Sequence, residues 1–301
     1  MSYITVCTPT YNRSHTLHIP FNSLCKQSFK DFEWLVIDDG SIDDTEQVIE
    51  QFKRIADFPI MYIKTENHGK AAALNTSYNY VKSKYYMILD SDDEYLDDTL
   101  EKVYNAWNRI PKDEYDRFWC VTGHCVDSDT GEIIGGKWPE NINRLSGRRQ
   151  HKLIVKHKKG EKTSCRKIEI LKKHPFPQYP ETKFVSEGVV WGKIDKEYDQ
   201  YCINDVLRIY HSNVPGSLSK GKDIKTKYTY YYLNLFCLNE CFSQLTYNKS
   251  VRLSILNISR LAIIVKRPYK QVMKEINKWY KRILVTLGYP FMWIFNKVYY
   301  K

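Results

Sequence analysis

Short apolar, β-rich segments alternate with helix-forming segments over the first 110 residues, and this alternation constrains the fold more than any other feature. The predicted elements are strand 3–8, helix 15–27, strand 32–37, a helix after the capping residues 43–45, strand 60–63, helix 71–81, strand 85–89 and helix 96–109. Strands and helices that alternate through short connections are typical of a parallel sheet covered on both faces. The sequence therefore predicts an α/β fold with a doubly wound, mostly parallel sheet.

Three carboxylates follow the fourth predicted strand, at Asp90, Asp92 and Asp93. Carboxylates this close repel one another unless a cation, solvent or a helix N-terminus offsets their charge. A hard divalent cation suits such a cluster, since Mg²⁺ and Mn²⁺ prefer oxygen ligands shared with substrate phosphates. The alternative is an acidic turn that caps the following helix. The position after a strand favours a site, because open α/β sheets bind ligands at the carboxyl ends of their strands.

Polar side chains follow all four predicted strands. The carboxyl ends of parallel strands meet at one edge of a sheet, so these side chains should converge there. The edge would gather Thr8, Tyr11, Asp38, Asp39, Lys70, Asp90 and Asp92. We therefore predict a ligand site at this edge.

Two common phosphate-binding motifs are missing from the sequence. No Gly-x-Gly-x-x-Gly follows a strand, and no Gly-x-x-x-x-Gly-Lys-Ser/Thr occurs, so neither a dinucleotide fold nor a P-loop is supported. A metal-dependent phosphotransferase would also place Asp-x-Asp after a strand. However, Asp93 and Glu94 stand where that class would carry a small hydroxyl residue, so this alternative ranks lower.

The formal net charge of +11 is concentrated in two segments. Residues 220–301 hold 16 basic and 3 acidic residues, and residues 137–173 hold 13 basic and 3 acidic residues. Basic segments favour phosphate-bearing or anionic-surface partners, although many are only solvated faces. A basic nucleic-acid-binding module is therefore an alternative function, but the segments carry no recognisable nucleic-acid motif, and we expect no nucleic acid as a partner.

The cysteine pattern and the absence of long apolar runs predict a cytoplasmic protein. The eight cysteines include no Cys-x-x-Cys pair and are typical of reduced, buried thiols. The first strand begins almost at Met1, so we expect no signal peptide. No apolar run approaches the roughly 18 residues that a spanning helix needs.

Four motifs occur in order, each after a predicted strand. They are Thr8-Pro9-Thr10-Tyr11-Asn12, Val36-Ile37-Asp38-Asp39-Gly40-Ser41, Asn67-His68-Gly69-Lys70-Ala71-Ala72-Ala73-Leu74-Asn75 and Leu89-Asp90-Ser91-Asp92-Asp93. In this order they resemble the motifs of family 2 glycosyltransferases, closely over about the first 100 residues and more loosely to about residue 220. The resemblance implies a GT-A fold and an inverting, nucleotide-sugar-dependent enzyme.

The resemblance also implies roles for the motif residues. Tyr11 would stack on the nucleotide base, and Asp39 would accept hydrogen bonds from the base or ribose. Lys70 would lie near the diphosphate, Asp90 would reach the ribose, and Asp92 would hold Mn²⁺ or Mg²⁺ between the phosphates. The remaining predicted donor-binding residues are Thr8, Pro9 and Ser91. The alternatives are an ordinary Asp-Gly turn at Asp39 and a surface position for Lys70.

Inverting transfer needs a base that takes the proton of the acceptor hydroxyl. Relatives often carry an acidic pair before an apolar helix, and here Glu187 followed by Gly188 is the candidate base, with Glu181 in reserve. The alternative for Glu187 is a first-turn glutamate that interacts with the helix dipole. A histidine after the late strand 200–209 completes the metal shell in some GT-A enzymes, which makes His211 a candidate ligand, although a lone histidine is more often structural.

The chain is predicted to divide into a catalytic domain, 1–220, and a basic, aromatic-rich helical region, 221–301. Within the first, 119–126 and 131–136 should form a hairpin, and 137–162 should be a basic insertion, either a solvated loop or a lid over the donor. Helices are expected from 223 to 245, 250 to 265 and 269 to 287. The aromatic cluster at 289–295, interleaved with basic residues, suits either an anionic membrane surface or a cap on the catalytic domain.

The sequence thus predicts a metal-dependent hexosyltransferase that moves a sugar from a nucleotide diphosphate, favouring a UDP-sugar, to a hydroxyl with inversion. The expected acceptor is a saccharide or a lipid-linked saccharide in cell-surface polysaccharide synthesis. Such an acceptor would place the enzyme in the cytoplasm, in part at the inner face of the cytoplasmic membrane.

Overall fold

The computed structural model describes residues 2–140, 142–146, 160–212, 224–240 and 249–299. The chain forms two compact units, one of residues 1–176 and 190–217 and the other of residues 177–189 and 218–301. Most of the predicted basic insertion, including Arg148, Arg149 and the run 156–159, lies outside the described residues. The prediction that 137–162 is a basic insertion, either a solvated loop or a lid, therefore stays a prediction, as does the domain boundary near residue 220.

The first unit is built on a mixed sheet. Its described strands are β1 Ile4–Thr10, β2 Phe32–Asp38, β3 Ile60–Lys64, β4 Tyr85–Ile88, β5 Glu94–Tyr95, β6 Phe118–Asp127, β7 Arg144–Leu145, β8 Lys162–Lys167 and β9 Asp199–Tyr210. They are ordered β3-β2-β1-β4-β8-β6-β9-β5, with β7 paired to β9. The longest ladders, β1 with β2 and β6 with β9, are parallel, while β8 runs antiparallel to β4 and β6. The predicted α/β fold with a mostly parallel sheet is confirmed.

Helices cover this sheet. They are α1 His18–Cys25, α2 Thr45–Ile55, α3 Lys70–Ser77, α4 Thr99–Arg109, α5 Ile168–Lys173 and α6 Gly188–Glu197, the last of which starts in the second unit. The central strands β1 and β4 are buried along their whole length, as expected of parallel strands with helices on both faces. Ring stacking of Phe21 on Phe52, with centroids 4.0 Å apart, joins α1 to α2 over Trp34 of β2.

The second unit is helical. Its further helices are α7 Ile224–Glu240, α8 Lys249–Ile264, α9 Tyr269–Glu275 and α10 Trp279–Tyr299. Tyr231, Ile258 and Val285 are fully buried in its core. Within this unit the Arg267 guanidinium donates hydrogen bonds to the carboxylates of Glu275 and, at 2.5 Å, of Glu181.

Two local predictions differ from the structure. The expected hairpin of 119–126 with 131–136 is shorter than predicted, with a bridge between Val126 and Ile133 and a bond from the Ile134 N–H to the Cys125 carbonyl at 2.9 Å. The single helix expected over 269–287 is split into α9 and α10. The break is held by Asn277, whose N–H donates to Asn239 Oδ1 at 3.0 Å, and α10 continues through the aromatic cluster at 289–295.

Candidate active site

The loops after β1 and β2 are joined through Asn12 and Ser41. The Asn12 N–H donates to Ser41 Oγ at 2.8 Å, and the Ile42 N–H donates to Asn12 Oδ1 at 2.9 Å. Asn12 has a φ of 52°, a left-handed conformation that asparagine tolerates better than most residues. The Tyr11 ring, next to this junction, is 47% exposed, so its face is accessible to a ligand.

Thr8 and Pro9 lie inside β1 and are buried. The Trp34 indole N–H donates to Thr8 Oγ1 at 2.9 Å, so the threonine hydroxyl is engaged in the core. Their donor-binding roles stay predictions.

The two aspartates at the end of β2 shape neighbouring loops. Asp38 is fully buried and accepts hydrogen bonds from the Ser41 N–H at 2.7 Å and from the Tyr62 hydroxyl at 2.5 Å. The Asp39 carboxylate accepts from two backbone N–H groups, those of His68 and Gly69, both at 2.8 Å. Because α3 begins at Lys70, Asp39 joins the β2 end to the start of that helix.

Asp90 follows β4 and meets two cations. The Lys70 ammonium lies 2.6 Å from Asp90 Oδ1, and the Arg208 guanidinium lies 3.8 Å from Oδ2. Burial works to raise the pKa of Asp90, but Lys70 and Arg208 outweigh it and lower that pKa below its ordinary value. Asp90 is therefore ionised at neutral pH.

Asp92 has a weaker partner. Arg13 Nη1 lies 3.7 Å from Asp92 Oδ2, within ion-pair range but too far for a hydrogen bond. Burial and the neighbouring charge of Asp90 raise the pKa of Asp92, and Arg13 only partly opposes them. A cation at Asp92 would relieve this cost. Ser91, between the two aspartates, is buried.

Asp93 is almost fully buried. Its Oδ1 accepts the His211 N–H at 3.0 Å, while its Oδ2 has no hydrogen bond among the described residues and lies 3.3 Å from Arg208. Burial raises the pKa of Asp93 to about 7, against the opposing effect of Arg208. Asp93 therefore titrates near neutral pH.

The His211 imidazole contacts Glu94 rather than the aspartate cluster, with Nε2 3.1 Å from Glu94 Oε1. Within the described ranges, no group of three or more His, Cys, Asp or Glu side chains is placed to hold a metal ion. The metal roles of Asp92 and His211 stay predictions.

The two candidate bases lie in the second unit. Glu187 directly precedes α6 and is half-buried, and the Val189 N–H donates to the Ser186 carbonyl at 3.0 Å in the helix's first turn. Glu181 binds the Arg267 guanidinium and accepts a hydrogen bond of 2.8 Å from the Tyr232 hydroxyl. Burial works to raise the pKa of Glu181, but these bonds outweigh it and lower the pKa.

Two arginines at this edge of the sheet were not predicted as site residues. Arg13 belongs to the first loop and reaches Asp92, and Arg208 is buried within β9 between Asp90 and Asp93. The available signal for Arg208 was its place in the apolar segment Val206-Leu207-Arg208-Ile209, because a buried charge requires partners of opposite sign.

The first unit thus brings the loops after β1, β2, β3 and β4 together at one edge of the sheet. Arg13 joins the first loop to the fourth, Asp39 joins the second to the third, and Lys70 joins the third to the fourth. The predicted convergence of polar residues is therefore present as direct contacts.

Several curated proteins have similar sequences. The GalNAc(5)-diNAcBac-PP-undecaprenol beta-1,3-glucosyltransferase of Campylobacter jejuni is 26% identical over 295 residues, which is 96% of this chain and 89% of that protein. Glycosyltransferase GlyA of Streptococcus pneumoniae and the minor teichoic acid biosynthesis protein GgaA of Bacillus subtilis are each 37% identical over about a third of this chain. Those alignments cover only 14% and 24% of the respective proteins, so the chain spans a small part of their length.

Solved structures share the fold. TarS residues 1–349 of S. aureus align with a TM-score of 0.61 at 16% identity, covering 97% of this chain and 90% of that one. A mannosyltransferase of Pyrobaculum calidifontis, solved with GDP-Man and Mn²⁺, aligns with a TM-score of 0.53 at 17% identity, covering 95% and 79%. At these identities the likeness shows the fold alone, and it confirms the predicted GT-A architecture.

The family model for glycosyl transferase family 2 matches residues 5–158, which is just over half of the chain and includes all four motif loops. The chain therefore belongs to glycosyl transferase family 2 and is a glycosyltransferase.

Proposed function

We propose that this glycosyltransferase moves a sugar from a UDP-sugar to an acceptor hydroxyl with inversion, in a metal-dependent reaction of surface-polysaccharide synthesis. The observation that carries the proposal is the aspartate cluster after β4. The charge of Asp90 is already neutralised by Lys70. In contrast, burial and the charge of Asp90 raise the pKa of Asp92. The Arg13 guanidinium lies 3.7 Å from the Asp92 carboxylate. A site with one under-compensated carboxylate fits a diphosphate that arrives with a divalent cation.

The residues present fit Mn²⁺ or Mg²⁺. These ions are typically held by one or two carboxylates, with substrate phosphates and water completing the shell, so a site without three protein ligands is consistent with them. Asp92 would hold the ion, and His211 is a further candidate only if its imidazole leaves Glu94. When bound, the cation offsets charge on the departing nucleoside diphosphate.

The chain's own groups supply the remaining electrostatics and orientation. Arg13 and Lys70 lie next to the carboxylates and would interact with the diphosphate oxygens, since both are held near Asp92 and Asp90. The exposed Tyr11 ring would stack on the uracil. Asp39 would bind the nucleoside through its carboxylate, which also accepts the His68 and Gly69 N–H groups.

Glu187 is the proposed base that takes the acceptor proton. The lowered pKa of Glu181 and its bonds to Arg267 and Tyr232 support a structural role for that residue, so the reserve candidate is the weaker one. The ion pair with Arg267 makes Glu181 a poorer proton acceptor.

A lipid-linked saccharide is the proposed acceptor. The supporting observation is the Campylobacter relative, whose name states an undecaprenol diphosphate substrate and which aligns over nearly the whole chain. The name of GgaA states a part in minor teichoic acid biosynthesis, a second surface polymer. Among the described residues, none of the helices combines the length and apolar character that crossing a bilayer requires. Peripheral attachment at the inner face of the cytoplasmic membrane is therefore part of the proposal.

The proposal is tested by incubating the protein with UDP-Glc, UDP-GlcNAc, UDP-GalNAc and GDP-Man, each with Mn²⁺ or with EDTA, and measuring the release of nucleoside diphosphate. We expect one UDP-sugar to give a rate that EDTA abolishes and that a lipid-linked saccharide acceptor increases. NMR of the product should show the opposite anomeric configuration to the donor. Release that is unaffected by EDTA would contradict metal dependence, and retained configuration would contradict inversion.

A further inference from the structure

The solvent-facing side of α10 is apolar. Five large side chains on it are exposed by half or more: Trp279 70%, Ile283 50%, Leu287 62%, Phe291 68% and Ile294 57%. The first four are spaced four residues apart, and each such step turns the helix by only about 40°, so all five lie on one stripe. We call this stripe, with the groove described next, the α9–α10 face.

A groove adjoins the stripe. It has a volume of about 340 Å³ and is lined by Tyr269, Met273, Arg282, Ile283, Thr286 and Leu287 from α9 and α10. Because Ile283 and Leu287 belong to both, the groove and the stripe form one continuous apolar surface.

The opposite side of α10 already packs into the core of the second unit. Val285 is fully buried, and its carbonyl accepts a hydrogen bond of 2.9 Å from the Ser259 hydroxyl. Gly288, one turn along the helix, also lies close to Ser259. A surface helix usually presents polar residues on its outer side. The exposed apolar stripe is therefore not needed for packing, and a contiguous patch of this kind marks an interaction surface.

Positive charge surrounds the face. Lys266, Lys270, Lys274 and Lys278 are exposed on and around α9. Glu275 is the single acidic residue between 249 and 301, and it is bonded to Arg267 and to the Tyr231 hydroxyl. The rim of the face is thus cationic.

We propose that the α9–α10 face docks on the surface of an anionic bilayer, with the α10 stripe at the boundary between headgroups and acyl chains and the lysines on the headgroups. An in-plane helix with an apolar side and a basic rim has the chemistry for this position. A second copy of the chain would bring two lysine rims together, which is electrostatically unfavourable. Nucleic acid would match the lysines but leave the apolar stripe in water. The inference rests on the proposed function, because docking would give the enzyme access to a lipid-linked acceptor.

Flotation of the full chain with vesicles tests the docking without any sugar substrate. We expect binding to phosphatidylcholine vesicles that contain about 30% phosphatidylglycerol, weaker binding at 0.5 M salt, and little binding to phosphatidylcholine alone. Leu287→Ser with Phe291→Ser should weaken binding to the anionic vesicles at least ten-fold. The matched control is Ile42→Ser with Ile55→Ser, because those side chains are 90% and 72% exposed in the first unit. The control should bind as the wild type does.

A charge-reversal pair separates the basic rim from the apolar stripe. Lys270→Glu with Lys274→Glu should lose most binding at low salt, whereas Lys82→Glu with Lys112→Glu, two exposed lysines of the first unit, should lose little. Circular dichroism melts check that all variants fold. If the α10 double variant does not fold, docking is tested on the wild type by the quenching of its tryptophan fluorescence by brominated lipid. The Trp279→Phe variant should show less quenching.

Donor hydrolysis in solution is measured on the same proteins, so a failure of the docking is distinguishable from a failure of the proposed enzymatic activity. A wild-type protein that ignores anionic vesicles, or an α10 variant that binds them as tightly as the control does, would overturn the docking proposal. Light scattering that shows a dimer in the wild type and a monomer in the α10 variant would assign the face to a second copy instead.

Discussion

The three aspartates after β4 differ in pKa because burial and the neighbouring charges act on each to a different extent. Lys70 and Arg208 hold the pKa of Asp90 below its ordinary value, although burial opposes them. Burial raises the pKa of both Asp92 and Asp93. Carboxylates one or two residues apart therefore differ in pKa, and an added cation would lower the raised pKa of Asp92.

Asp93 gives a pH dependence that can be measured without substrate. Its pKa of about 7 in the folded protein exceeds the ordinary 3.8, so between these pH values the folded state holds a proton that the unfolded state has lost. The contribution of Asp93 to folding is therefore fully present below about pH 4 and is lost as pH rises to 7. In EDTA, Asp93→Asn should raise the free energy of unfolding at pH 8 by about 1–4 kcal/mol and change it little at pH 4. Urea melts at both pH values provide the measurement, and an equal effect at each would refute the assigned protonation.

Arg208 is assigned as a positioning residue, because it contacts Asp90 and Asp93. Arg208→Met should lower the free energy of unfolding by about 3–5 kcal/mol, since Asp90 and Asp93 would keep buried charge without their shared partner. Adding Asp93→Asn should restore part of that loss. Urea melts of the single and double variants measure the coupling. If the two effects simply add, Arg208 does not neutralise Asp93.

The turn after β2 leaves no room for a side chain at Gly40. Gly40 has a φ of +83°, and a Cβ there would lie 2.9 Å from the Asn67 backbone nitrogen. Gly40→Ala should therefore destabilise the protein by about 1–3 kcal/mol and weaken UDP binding, because the same turn holds Asp39 against His68 and Gly69. Gly131→Ala is the control, since Gly131 has a φ of +68° but open space around its Cβ position. A control as impaired in UDP binding as Gly40→Ala would show that strain alone accounts for the loss.

The segment before α6 carries the proposed base. Glu187→Gln keeps the shape of the side chain but cannot accept a proton, so turnover should fall by about 10²–10⁴ while UDP affinity stays unchanged. Glu181→Gln should instead mainly reduce stability, since it removes the charge that pairs with Arg267. Turnover and UDP affinity are measured for both variants. If Glu181→Gln is the variant with intact stability and lost turnover, the assignment of the base is reversed.

Elements with strong local patterns were predictable, and those that depend on distant partners were not. The strands β1 to β4 are contiguous apolar runs and were placed within about two residues of their bounds. In contrast β8, Lys-Thr-Ser-Cys-Arg-Lys, was missed because it is polar in sequence. Its charges are accommodated by tertiary contacts: the Lys167 ammonium donates to the Tyr115 carbonyl at 2.7 Å, and Arg166 lies over the Trp191 ring.

The same distinction holds for the site. The four motif loops follow predicted strands, so their meeting at one edge of the sheet could be expected. The contacts between them could not, because the bonds from Asp39 to two backbone N–H groups and the position of Arg208 depend on loop geometry that no pattern specifies. The assignment of His211 to a metal likewise assumed an imidazole directed at the aspartates, whereas it contacts Glu94.

On the scale of the whole molecule, the two units differ chemically. The first carries the carboxylate-rich edge of the sheet, and the second carries the proposed base and a basic, apolar surface. Vesicle binding and donor hydrolysis should therefore respond to different substitutions, with Leu287 and Phe291 affecting the former and Asp92 the latter. Parallel loss of both in every variant would mean that the two units do not divide these roles.

The central claim is that Asp92 holds a divalent cation that brings the nucleoside diphosphate to the edge of the sheet. Isothermal titration calorimetry of UDP, with Mn²⁺ and with EDTA, tests it most directly on the wild type, Asp92→Asn and the exposed control Asp113→Asn. We expect UDP to bind the wild type and the control only when Mn²⁺ is present, and Asp92→Asn to lose at least 100-fold in affinity, which is about 2.7 kcal/mol. UDP binding to Asp92→Asn with wild-type affinity in Mn²⁺ would contradict the claim.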